Sequence, residues 1–158
     1  NEMGGSHYYH VRGFIGNSVP RVNPVEGKKL MSELCHAISL GLVRACHDCS
    51  EGGIGVAAAE MAFAGGCGMN LYMKDVPRSD DVIRNDTVLF SESNSRFMVE
   101  VSGESREEFE RIMADTATAS IGEVVDGEEF RVYGLNDAVV VSANICDLKE
   151  AWQKTFRW

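Results

Sequence analysis

The stretch His47-Asp48-Cys49-Ser50-Glu51-Gly52-Gly53-Ile54 gathers two carboxylates, a thiol, a hydroxyl and paired glycines where an apolar segment gives way to a helix. Backbone N–H groups at a helix start lack internal partners, so those of Gly52, Gly53 and Ile54 are placed to meet an anion, and the glycines let a phosphate come close. Glu51 opposes a bare phosphate there unless a cation accompanies it. The same residues have a plainer use, with Ser50 capping the helix and the glycines serving close packing, because short glycine motifs are weakly specific.

A second polar set, Glu92-Ser93-Asn94, puts a carboxylate, a hydroxyl and an amide on one turn, able to hold the hydroxyls or amides of a polar ligand. A solvated hairpin tip is the simpler account of those three. Cys46-x-x-Cys49 beside His47, or His7-x-x-His10, suggests zinc, but a closed site needs four ligands and no second CxxC follows. Cys49 sits on a strand-to-helix turn as nucleophiles do, yet it lacks the flanking glycines of a nucleophile elbow and an identifiable histidine partner. No catalytic residue and no metal ligand are therefore assigned to this chain.

The elements that position these residues follow from periodicity. Residues 1–24 mix glycine, asparagine, aromatic and histidine pairs with Pro20 and Pro24, as an irregular leader that packs on something else. From Val25 to Val43, Leu30, Met31, Leu34, Cys35, Ile38 and Leu42 form one apolar arc of a helix. Leu42 to His47 reads as a strand. The helix after Gly52-Gly53 carries Gly55, Ala57, Ala58, Ala59 and Ala62, small enough for close packing, and stops at Gly65-Gly66.

Met69 to Met73 and Thr87 to Phe90 read as strands around an acidic loop, and Arg96 to Val101 alternates as a third, with Glu92-Ser93-Asn94 at the turn between strands. Ser105 to Glu108 has the spacing of a capping box ahead of a helix bearing Phe109, Ile112 and Met113. Ile121 to Val125 and Phe130 to Tyr133 read as a hairpin about Asp126-Gly127, and Val139 to Ser142 as a last strand. Asp147, with Glu150 three residues on, is the N-cap candidate for a closing helix that folds Leu148, Ala151, Trp152 and Phe156 onto the sheet. The order predicts a single α/β (α+β) domain, a mixed sheet packed with helices and partly ferredoxin-like.

A chain of 158 residues is long enough to bury about 70% of its unfolded surface without staples. The net charge of -9 falls wholly in the second half: residues 1–78 hold seven acidic and seven basic side chains, residues 79–158 seventeen and eight. Such a surface repels phosphate backbones, so nucleic acid is excluded as a partner, and the apolar runs fall short of the roughly 20 residues that span a membrane. Five irregularly spaced cysteines suit a reducing compartment, and a cytoplasmic location is expected. The opening at Asn1 without an initiator methionine reads as a segment cut from a longer protein.

Together the strings MGGSHYYHV, HDCSEGGIGVAAAEMAFAGGCGMNL, LFSESNSRFMVEV, IGEV and LKEAWQ resemble the final domain of the formylglycinamide ribonucleotide amidotransferases, or phosphoribosylformylglycinamidine synthases, of purine biosynthesis. The resemblance covers nearly the whole chain and points to the C-terminal domain of the second internal half. It implies an aminoimidazole ribonucleotide synthetase-type C-terminal domain over residues 25–158, with 1–24 as a leader from the inter-domain region. Aminoimidazole ribonucleotide synthetase, selenophosphate synthetase and thiamine-monophosphate kinase share the domain type with poorer string matches.

The activity implied is an ATP-dependent ligation in which the formyl-amide oxygen is phosphorylated and ammonia from a glutaminase unit displaces phosphate. By the resemblance, ATP and Mg belong to the parent enzyme and no cofactor to the isolated domain, while the magnesium ligands and catalytic histidine lie in preceding domains. Ser50, Glu51, Gly52 and Gly53 then sit at the inter-domain cleft, and Glu92-Ser93-Asn94 faces a pseudo-symmetric nucleotide site, with Asn94 standing where many relatives have glutamine. The implied partners are the preceding domains, the glutaminase unit and, for the excised piece, a second copy in a homodimer. The rival readings are a structural or dimerisation module with no ligand and a stand-alone nucleotide-binding regulator.

Overall fold

The computed structural model describes residues 2–154. Asn23 starts the longest helix, α2 (Pro24–Ser39), by accepting hydrogen bonds from the N–H groups of Val25 and Glu26 at 3.2 and 3.3 Å, with Pro24 pre-set in the first turn. Ahead of it, residues expected to be irregular hold one helical turn, α1 (His7–Val11), capped by the Ser6 hydroxyl. The helix expected to reach Val43 stops at Ser39, because Gly41 turns the chain at φ 73°. Strand β1 (Val43–Asp48) then runs to the glycine turn, and α3 (Gly53–Gly65) follows it.

Helix α3 is apolar around most of its circumference and is the centre of the fold. It touches β1, the next strand β2 (Gly68–Tyr72), helix α4 (Asn85–Phe90), strand β3 (Phe97–Val101) and the closing helix α6 (Ile145–Lys154). Ala57, Ala58 and Ala62 are almost wholly buried, the close approach that their size predicts. Gly66, at φ 69°, ends the helix by donating its N–H to the Ala62 carbonyl.

Two sheets flank it. β1 pairs antiparallel with β3, and β2 lies inside a four-stranded mixed sheet with β4 (Gly122–Val125), β5 (Glu129–Tyr133) and β6 (Val139–Asn144) in the order β4-β2-β5-β6. Inward residues Met69, Leu71, Phe130 and Val132 join Met73, Ile54 and the α3 alanines in the larger core. A smaller core of Leu34, Ala37, Leu42, Phe109 and Met113 lies among α2, the β1–β3 ribbon and helix α5 (Arg106–Ile112). The α/β class thus holds, with the expected mixed sheet divided between two.

Several local expectations give way to tertiary context. Thr87 to Phe90 is helical, not extended: Thr87, Val88 and Leu89 are all buried in succession, which a half-buried strand does not permit, so packing overrides their β-propensity. β4 and β5 are no hairpin, because β2 lies between them, antiparallel to β4 and parallel to β5. Gly122 permits this, since a side chain there would collide with the Asn70 carbonyl. No capping box forms; Ser105 hydrogen-bonds Ser102 instead, hydroxyl to hydroxyl at 3.1 Å and N–H to hydroxyl at 3.3 Å. The closing helix starts two residues before Asp147, capped by Asn144, whose side-chain oxygen accepts from the Cys146 N–H at 2.8 Å. Leu148 packs on the larger core and Trp152 reaches α3, where it donates to Glu60 at 2.7 Å; Phe156 lies outside the described residues.

Candidate functional site

The end of β1 carries the first polar stretch. Cys49 continues the ribbon by donating its N–H to the Arg96 carbonyl at 2.9 Å, and its thiol is buried, which pushes its pKa up and makes it a poor nucleophile. Ser50 does not cap α3; its hydroxyl donates to the Asp48 carboxylate in a short hydrogen bond. That donation, helped by Asp48's own backbone and by His47, holds the Asp48 carboxyl below its ordinary range. Asp48, Ser50 and Glu51 are all exposed.

The N–H groups offered to an anion are largely engaged by the protein. Gly52 donates to the Glu92 carboxylate at 2.9 Å, and Gly53 donates to the Ser50 carbonyl at 3.0 Å. The negative charge at the positive end of α3 therefore comes from within the chain. The glycines are required by shape: Gly52 and Gly53 have φ of 77° and 61°. A side chain at Gly53 would strike the Ser91 carbonyl and lie 2.8 Å from that of Leu89, while one at Gly52 would strike Val56.

Glu92, Ser93 and Asn94 lie between α4 and β3, a helix-to-strand connection and not the tip of a hairpin. The Glu92 oxygen that accepts from Gly52 also accepts from the His7 N–H at 2.9 Å, at the start of α1. The Glu92 N–H in turn donates to the Glu2 carbonyl at 3.3 Å. The leader is further fixed by Tyr8, which stacks on Phe90 at 4.8 Å between ring centres and donates to Asp86 at 3.1 Å. Hydrogen bonds from Arg84 hold the Asp86 carboxyl below its ordinary range.

Arg96 is a residue of the cleft that the motifs do not single out. Its guanidinium donates to the Ser93 carbonyl at 3.0 Å and, in a short contact, to that of Ser91, and burial lowers its pKa from the usual guanidinium value. The available signal was a cation opening an alternating strand immediately after a polar triplet. Ser95, beside it, has a left-handed φ of 58°.

The two polar stretches, 40 residues apart in sequence, thereby meet. They line an open cleft of about 390 Å³, with Asp48, Ser50, Glu51, Glu92 and Asn94 supplying polar groups and Pro20, Met31 and Phe97 apolar ones. An adjoining groove of about 500 Å³ runs along α2 past Val22, Gly27, Met31 and Cys35, sharing Met31 and Ser95 with the cleft. Three carboxylates against one internally engaged guanidinium suit hydroxyl, amide or metal-accompanied groups better than a bare phosphate. Among the described residues no group of three or more His, Cys, Asp or Glu side chains is placed to hold a metal ion, Cys46-x-x-Cys49 and His7-x-x-His10 included.

Residues 1–134 match the family described as AIR synthase related protein, C-terminal domain. The chain is 35% identical over 155 residues to the phosphoribosylformylglycinamidine synthase subunit PurL of Alkaliphilus metalliredigens, covering 96% of the chain and 20% of that protein. It is 33% identical over 158 residues to the Deinococcus radiodurans subunit, covering 99% of the chain and 21% of that protein. The chain thus spans about a fifth of the length of these curated relatives. Thermotoga maritima PurL complexed with FGAR has a similar fold, with a TM-score of 0.75 at 24% identity over 83% of the chain and 22% of that structure. The hydrogenase maturation protein HypE of E. coli aligns with a TM-score of 0.62 at 21% identity over 73% of the chain and 39% of that structure.

Proposed function

The chain belongs to the AIR synthase related protein C-terminal domain family, in its PurL-type form, and on that premise we propose that it forms one wall of a nucleotide or substrate cleft in a phosphoribosylformylglycinamidine synthase. The parent ligase converts formylglycinamide ribonucleotide, ATP and glutamine-derived ammonia into formylglycinamidine ribonucleotide. The observation that carries this reading is the Gly52 to Glu92 hydrogen bond, which joins the two polar stretches so that Ser50, Glu51, Glu92 and Asn94 line one open cleft, with Gly52, Gly53 and Ser93 outside its lining.

In this reading the wall contributes polar groups, while the magnesium ligands and the catalytic histidine belong to other domains, so the chain by itself does not turn over ATP. ATP and Mg enter with the parent enzyme; the T. maritima PurL complex with ATP supports the nucleotide. Residues 1–24 act as the inter-domain leader and 25–158 as the domain proper. Val11, Phe14, Ile15, Val19 and Val22 are more than half exposed, which supports a preceding domain as their cover and, in the excised piece, a homodimer. The T. maritima PurLQS structure supports partner subunits, and a glutaminase unit is proposed as one of them. No helix among the described residues is long and apolar enough to cross a membrane, and the location proposed is the cytoplasm.

The test joins the chain to the remaining domains and measures turnover of formylglycinamide ribonucleotide with ATP and ammonia. Activity of the assembled enzyme with none from the chain alone is the expected result. An inactive assembled enzyme, or enzymic ATP turnover by these 158 residues, overturns the reading. A second reading, an assembly module with no ligand, draws on the packing role of Gly52 and Gly53 and the internal use of their N–H groups. Calorimetry with ADP on the multi-domain protein separates the two, since no heat of binding favours the module.

A further inference from the structure

We infer that Glu92 and Arg96, although both line the cleft, act there as positioning residues that lock the Ser91–Ser95 loop from two sides so that Asn94 faces the cleft. The inference rests on the cleft reading above and assigns roles within it. One Glu92 oxygen accepts two backbone N–H groups, each at 2.9 Å, from His7, the first residue of α1, and from Gly52, the N-cap of α3. Glu92 therefore ties the loop to the leader and to the glycine turn at once.

Arg96 works from the other side. Its fork reaches the carbonyls of Ser91 and Ser93, and its half-buried position leaves the guanidinium turned toward the loop backbone. Between them Ser95 takes a left-handed φ of 58°, unfavourable for a residue with a side chain, and its hydroxyl occupies the space that a Cβ at Gly27 would need, 2.8 Å away. A loop bent against its own preference keeps that shape only while its surroundings hold it. Both holding groups are polar and both act on backbone atoms.

Conservative substitutions separate holding from ligand contact. Glutamine keeps an oxygen that accepts both N–H groups but loses the charge; lysine keeps the charge but loses the planar fork. In the full-length synthase, Arg96→Lys and Glu92→Ala are expected to raise the KM for formylglycinamide ribonucleotide or ATP by about tenfold with kcat changed by less than about twofold. Glu92→Gln is expected to recover most of what Glu92→Ala loses. In nitrogen-15 spectra of this chain, the Gly52 and His7 amide protons should move upfield together in Glu92→Ala and much less in Glu92→Gln.

Equal damage from Glu92→Gln and Glu92→Ala, or an unchanged KM in Arg96→Lys, overturns the assignment. A wild-type synthase without turnover removes the functional reading and leaves the lock to the spectra. There, joint movement of Gly52 and His7 upholds it and unmoved signals overturn it. Should Glu92→Ala fail to fold, the comparison of Glu92→Gln and Arg96→Lys with wild type decides.

Discussion

The two sheets of this molecule are held in different ways. The four-stranded sheet rests its inner face on α3, with Leu71, Met73 and Val132 at most 2% exposed, and its stability comes from apolar burial. The β1–β3 ribbon has only two strands and a smaller core, yet the cleft is built at its end. There the parts are joined by carboxylate-to-backbone and guanidinium-to-carbonyl hydrogen bonds. The contrast teaches that the candidate site depends on directional polar contacts and close backbone approach, which fix geometry, while the bulk of the folding free energy lies elsewhere.

Breaking the larger core should have the greatest effect. Leu71→Ala is expected to cost about 4 kcal/mol and the matching Leu34→Ala in the smaller core about 3, within the range of 2–5 for buried leucines, as denaturant melts would measure. A larger loss at Leu34 would reverse the ranking of the two cores. Next comes Gly53→Ala, expected to cost roughly 2–3 kcal/mol because a Cβ there is both strained at φ 61° and driven into the Ser91 carbonyl. Unlike the leucine changes it should also abolish the paired Gly52 and His7 amide shifts. A fully stable Gly53→Ala protein would mean that the glycine turn is not held by close packing.

A smaller, pH-dependent effect should appear at the leader. The Asp86 carboxyl is depressed by Arg84, so its contribution is present above the unfolded value of about 4 and is lost as pH falls through the lower folded value. Tyr8 fluorescence should therefore report undocking of α1 below about pH 4, and Asp86→Asn should remove that step. The smallest change is expected from Arg106→Ala, which removes an exposed pair with Glu110 at 2.8 Å on the outer side of α5; a shift of at most about 0.5 kcal/mol is expected.

Much of this architecture was legible from residue order. The small-residue face of α3, its Gly66 stop and the alternation of β3 follow from local periodicity and the structure carries them, whereas the expected arc of α2 is only half kept: Leu34 is buried beside Gly27 and Ala37, while Met31, Cys35 and Ile38 are exposed. The misreadings share one cause. Thr87–Phe90 has the composition of a strand and is a helix because it is buried on successive sides. Asp126-Gly127 has the residues of a hairpin turn, but the partner of β4 is a strand more than 50 positions earlier in the chain. At the site, the members of both polar stretches were identifiable by chemistry, whereas the Glu92 bridge and the role of Arg96 were not, because their partners are backbone groups that carry no sequence signature.

By itself the sequence determined the centres of the longer helices and of most strands, though not of α1 or α4, together with the charge asymmetry of the two halves and the set of polar residues available for a cleft. Those properties are local or additive, so they survive in any arrangement of the chain. Tertiary structure decided that β2 separates β4 from β5, that the Gly52 N–H of the glycine turn is taken by Glu92, and that the leader is pinned beside it. These depend on which distant surfaces bury one another, and that choice is made by the whole core acting together.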